Sequence, residues 1–126
     1  MALEVLCRKN NLFINGKPMK FDYEVGNAFV VDNKIIFLLR IPNGDPTLKN
    51  IYCLSEDCQF LWQVQSQVEA FPEVKEELPF EGMTLRENGN ISAYDFFGRD
   101  FDIDPISGKI LSFKVTRWYI FVTCFR

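Results

Sequence analysis

The sequence predicts an all-β fold: an antiparallel meander of about ten short strands forming a curled sheet, a partly open barrel or a two-sheet sandwich. Three observations predict it. Hydrophobic residues recur with a period of two along most of the chain. Turn signals such as Asn15-Gly16 and Asn88-Gly89 divide the runs at short intervals. The irregular stretch 65–82, where a helix could otherwise form, contains Pro72 and Pro79, which limit any helix there to less than two turns. The chain has 126 residues, enough for one domain, taken as 1–126.

The elements follow in order. LFI and KPM flank Asn15-Gly16, a pair suited to the positive φ angles of a two-residue hairpin. Met19, Phe21, Tyr23 and Val25 alternate with Lys20, Asp22 and Glu24, as in a strand with one wet face. AFVV meets IIFLLRI across Asp32-Asn33-Lys34, a second hairpin. The run 35–39 is apolar on both parities, so it should be a central strand covered on both faces. IPNGDPTLKN, with two prolines and a glycine, is a loop. NIYCL and QFLWQV pair around SEDC, and MTLRE and NISAYD pair around Asn88-Gly89. DFFG and DPISG then punctuate the last strands. WYIFVTCF at 118–125 reads as a final strand, interior to the sheet or at an oligomer interface.

Composition narrows the function. The chain has no histidine, which removes Ser-His-Asp and Cys-His catalysis and mixed Cys/His zinc sites. No catalytic residue, cofactor or metal site is expected. Acidic residues outnumber basic ones by 17 to 14, which disfavours a nucleic-acid partner. No apolar run is long enough to span a membrane. MALEVLCRKN lacks the basic start and long apolar run of a secretory signal, so the cytoplasm is the expected compartment. Cys7, Cys53, Cys58 and Cys124 form no CxxC pair and are expected as free thiols. Cys53 and Cys58 flank one turn, and Cys58 at its tip is expected to be the most reactive.

Three segments align on their turns: LSEDCQFLW, YDFFGRDFD and IDPISGKIL. In each, Asp or Ser caps the turn through its side-chain oxygen, and a Gly-like position takes φ > 0 as the chain re-enters the sheet. Cys58 stands where the other copies have Gly98 and Gly108. A left-handed conformation there would cost roughly 1 kcal/mol, so either strain or a different turn is expected. IYCLSEDCQFLWQV and IDPISGKIL resemble the strand-turn-strand steps of quinoprotein-type (PQQ-like) β-propeller blades. Asp104, Ser107, Gly108 and Lys109 match the turn of that pattern, and Trp62 matches its tryptophan on a different copy. The resemblance implies a local blade-like meander, not a propeller, and carries no quinone-binding residue.

Three features invite a functional reading. Asp100, Asp102 and Asp104 share one parity and would suit a Ca²⁺ or Mg²⁺ site. A solvent-facing strand whose last Asp starts a turn accounts for them better, with Arg99, Lys109 or Lys114 offsetting the repulsion. Ser107-Gly108-Lys109 lacks the strand and helix of a phosphate-binding loop and reads as turn chemistry. The segment 65–82 concentrates the acidity. Glu69, Glu73, Glu76, Glu77 and Glu81 face only Lys75, so the segment carries −4 while the whole chain carries −3.

Phe71 and Phe80 interleave those glutamates. Exposed, they would hold by apolar contact a basic protein steered in by charge. The alternative is a solvated connector whose apolar residues cap the barrel. The expected function is a small, non-catalytic, protein-binding protein, monomer or homodimer. Its most specific form is an immunity-type inhibitor that neutralises a basic toxin or enzyme through the acidic loop. A small-ligand-binding β-barrel and a structural or oligomerisation module are the alternatives.

Overall fold

The computed structural model describes residues 3–115. Among them, eleven strands form three antiparallel sheets, each a run of chain neighbours. The first sheet holds β1 (Val5–Arg8), β2 (Asn11–Ile14) and β3 (Lys17–Lys20). The second holds β4 (Glu24–Val31), β5 (Lys34–Arg40), β6 (Ile51–Ser55) and β7 (Phe60–Gln63). A single short helix, α1 (Gln67–Ala70), lies in the connector to the third sheet. That sheet holds β8 (Phe80–Leu85), β9 (Ile91–Asp95), β10 (Arg99–Ile103) and β11 (Ile110–Val115). The fold is all-β and meandering, as the alternation predicts, and no sheet closes into a barrel. The final strand expected at 118–125 lies outside the described residues.

The middle sheet is covered on both faces, and β5 shows why. Ile35, Phe37 and Leu39 join Leu12 and Ile14 of the first sheet in one core. Ile36 and Leu38, on the opposite parity, join Phe80, Met83, Ile91 and Phe101 of the third sheet in another. These five central residues of β5 are all buried. Each such side chain contributes about 1.5–3 kcal/mol by leaving water, so a strand apolar on both parities is stable only between two layers.

One expected strand is two. Met19 lies in the last strand of the first sheet and Val25 in the first strand of the second, with 21–23 as the crossing. Phe21 leaves the strand but still packs, its ring 4.9 Å from Phe37. The alternation therefore records burial correctly while missing the change of sheet.

The turns behave as their chemistry requires. Asn15 and Gly16, and Asp32 and Asn33, all have positive φ, as two-residue hairpin turns need. At 55–59, 86–90 and 95–99 a four-residue turn ends in a left-handed residue, respectively Cys58, Gly89 and Gly98. The 104–109 turn is one residue longer and ends in Gly108. Cys58 keeps the common turn at φ 65°, so of the two expected outcomes the chain takes strain.

Side chains tie the layers together. Trp62 of β7 donates from Nε1 to the Pro105 carbonyl at 3.0 Å, and its ring lies on Gly108, where any Cβ would collide with it. Asn50, fully buried, donates to the carbonyls of Leu39 and Phe80 and accepts from the Phe80 amide, each within 2.9 Å. It thus joins the middle sheet to the start of the third.

Candidate functional site

The acidic connector is fixed from within. Ser66 caps α1, its hydroxyl accepting from the Glu69 amide and donating to Glu77 Oε1 at 2.7 Å. The Val68 amide also reaches Glu77 Oε1, at 3.0 Å. Gln67 turns its buried amide group onto the main chain of Leu78, donating at 2.9 Å and accepting at 3.4 Å. Arg99 donates to the Glu76 carbonyl at 2.8 Å. Val74 is buried, and its amide donates to the Phe71 carbonyl at 2.9 Å. Polar side chains thus supply the partners that a strand ladder would otherwise give this stretch.

Glu69, Glu73, Glu76 and Glu81 are exposed. Glu77 is half-buried. Burial opposes its ionisation, but hydrogen bonds from Ser66, Val68 and Gln67, with Lys49 nearby, outweigh that and hold its carboxyl below the ordinary value. None of the five glutamates forms a salt bridge among the described residues.

The two phenylalanines are not displayed. Phe80 is 3% exposed and packs edge-on against Phe101. Phe71 packs edge-on against Phe113, with ring centroids 5.1 Å apart. The expectation of exposed aromatic anchors is corrected: Phe80 belongs to the core, and Phe71 is partly buried and packs against it. Alternation could not reveal this, because an irregular stretch has no face to assign.

A groove of about 670 Å³ opens between the 41–48 loop and residues 77–81. Ile41, Leu48 and Leu78 give it apolar surface, and Asp45, Glu77 and Glu81 give it acid. None of its lining residues is basic. Phe96, at the tip of the β9–β10 turn, stands at its side and is 74% exposed. Asp45 accepts from the Thr47 amide at 2.9 Å and from the Tyr23 hydroxyl at 2.8 Å. The bonds from Thr47, then that from Tyr23, hold its carboxyl below the ordinary value. Asp45 and Phe96 escape a reading of the sequence because each sits in turn chemistry, GDP and DFFG, that explains its presence without a site.

The aspartate row belongs to folding. Arg86, from the end of the β8 arm of its hairpin, lies across it, 3.1 Å from Asp100 and 3.2 Å from Asp102. Ser92 donates to Asp100 at 2.6 Å and Asn90 to Asp102 at 3.3 Å. The cation offsetting the row is therefore Arg86, not the expected Arg99 or Lys109; Lys114 is only the cross-strand neighbour of Asp100. Arg99 is engaged by Asp95, whose side chain is fully buried, at 2.7 Å. Asp104 accepts from the Ile106 amide and the Ser107 hydroxyl within its own turn. Among the described residues, no group of three or more His, Cys, Asp or Glu could hold a metal ion.

Cys7, Cys53 and Cys58 are free thiols. Burial pushes the Cys53 thiol up to about 11, against a smaller opposing effect of Lys34. No helix among the described residues is long and apolar enough to cross a membrane.

Comparison with known proteins revises one expectation. The resemblance to quinoprotein-type propeller blades does not hold: no propeller family matches, and the three sheets do not close into a propeller. What the two share is the chemistry of a tight turn between antiparallel strands, which any meander of this kind uses. No curated protein matches the chain. Residues 2–115 match the family model of DUF7957, a domain of unknown function, and the chain belongs to that family.

Proposed function

We propose that this protein is a non-catalytic binding protein whose acidic connector engages a basic protein, in the manner of an inhibitor or immunity protein that covers a positively charged site on a toxin or enzyme. The observation that carries this reading is the display of Glu69, Glu73 and Glu76 on a connector held from inside, with Glu81 exposed at the start of β8 and no salt bridge to any of the four among the described residues. Charges left without internal partners steer an oppositely charged protein and favour its correct orientation. A pre-ordered connector also loses little entropy on binding. The free thiols favour a reducing compartment, the cytoplasm. The alternative of an apolar ligand inside a barrel lacks its vessel, because the sheets stay open.

The test is affinity capture from the source cell with the wild-type chain and with a Glu69→Lys, Glu73→Lys, Glu76→Lys variant. The expected result is a basic partner retained by the wild type, lost by the variant and released by raised salt. Equal capture by both forms would remove the acidic connector from the account.

A further inference from the structure

We infer that the groove between the 41–48 loop and residues 77–81 receives an arginine side chain of the partner, its guanidinium among Asp45, Glu77 and Glu81 and its flat face on Phe96. This rests on the reading above that the partner is a basic protein, and adds which of its groups is recognised and where.

Charge selects the occupant. Three acidic residues line one groove and no lining residue is basic; Lys49, near Glu77, offsets one of the three charges, so the groove stays net negative, an anion is disfavoured and a neutral group gains nothing from the charge. Two of the three are positioned before any ligand arrives. Asp45 is oriented by Thr47 and Tyr23, and Glu77 by Ser66 and Val68. Glu81 is exposed on the first strand of the third sheet.

Shape and surface select among cations. Phe96 is the most exposed aromatic side chain of the described chain and sits beside the acids. Its cost in water is unexplained by packing. An aromatic face next to carboxylates suits a guanidinium, which stacks on the ring while its N–H groups reach carboxylate oxygens. A lysine ammonium is more strongly hydrated and offers no flat face. Ile41, Leu48 and Leu78 provide apolar surface for the methylene stem. The groove volume of about 670 Å³ leaves room for flanking main chain, which fits a side chain presented by a protein.

The experiment is a titration of the ¹⁵N-labelled chain with acetyl-Gly-Arg-Gly-amide, followed by amide chemical shifts. Matched peptides carrying lysine or norleucine serve as comparisons. Shifts confined to 41–48, 77–81 and 96 are expected with arginine, weaker ones with lysine and none with norleucine. Phe96→Ala should weaken arginine binding about two- to fivefold, and Glu81→Gln should weaken it as well. Both positions are exposed, so both variants should melt like the wild type. An unmoved groove at millimolar arginine peptide, or equal response to norleucine, overturns the inference; equal response to lysine overturns the guanidinium assignment. If the groove stays silent while charge reversal of the connector still abolishes capture, this inference falls alone. If the peptide binds the groove while capture survives reversal, the connector reading falls and the groove stands.

Discussion

Asp100 and Asp102 on β10, and Glu69, Glu73 and Glu76 on the connector, are both rows of carboxylates, and the fold treats them in opposite ways. The aspartates are largely covered, at 15% and 23% side-chain exposure, and share one guanidinium, that of Arg86. The glutamates are exposed and unpaired among the described residues. The difference lies in what surrounds each row. A strand in a four-stranded sheet brings cross-strand neighbours to a charge whether or not a ligand exists, so repulsion must be settled internally. A connector pinned through its backbone and apolar residues leaves its charges to solvent. Acidity alone therefore marks neither a metal site nor a binding site; the presence or absence of an internal cation separates the two cases.

The strongest way to break this contrast is to unpin the connector. Asn50→Ala leaves the carbonyls of Leu39 and Phe80 and the Phe80 amide without their buried partner. A loss of about 3 kcal/mol in urea unfolding is expected, with amide exchange rising first at 65–80. Next comes the paired row itself. Arg86→Leu should cost about 2 kcal/mol, less than a fully buried pair because solvent still reaches all three side chains. Adding Asp100→Asn and Asp102→Asn should recover much of it, and failure to recover would mean Arg86 acts by packing.

A change remote from both rows sharpens the contrast by separating stability from binding. Cys58→Gly relieves a left-handed non-Gly residue at an exposed turn. It should add about 1 kcal/mol, seen as a higher melting temperature with partner capture unaltered.

Acid provides a subtler probe. The folded value of Glu77 lies below its ordinary 4.5. Its contribution is therefore present above the unfolded value and is lost as pH falls through the folded one. Stability of the wild type should fall more steeply below about pH 4.5 than that of Glu77→Gln. The smallest effect on folding belongs to the displayed row: Glu69→Gln, Glu73→Gln and Glu76→Gln together should change stability by no more than about 0.5 kcal/mol. A larger change would show that these charges serve the fold and not a partner.

Part of this was legible along the chain. The two-sided apolar run at 35–39 announced a strand covered on both faces, because period two offers no other way to bury both parities. Asn15-Gly16, Asp32-Asn33 and the glycines at 98 and 108 announced their turns, since few residues tolerate positive φ. The strained Cys58 was also foreseeable, as a mismatch within an internal repeat. The connector was not. Its net charge is local information, but which of its residues turn inward depends on Phe113, Asn50 and Arg99, all distant in sequence. The same holds for the groove, which joins Asp45 and Phe96 from two separate connections with Glu81 of β8.

Alternation, turn residues and the absence of histidine are properties of neighbouring residues or of composition, so the sequence by itself determined the all-β class, the main hairpins and the lack of histidine chemistry. Only the tertiary structure decided that the meander breaks at 21–23 into separate sheets, that Arg86 pairs with the aspartate row, that Phe80 is core with Phe71 packed against it, and that Phe96 shares a groove with three acidic residues. Each of these depends on which strands stack face to face. That choice is made by burial of apolar area between distant segments, a quantity that no local pattern of the chain contains.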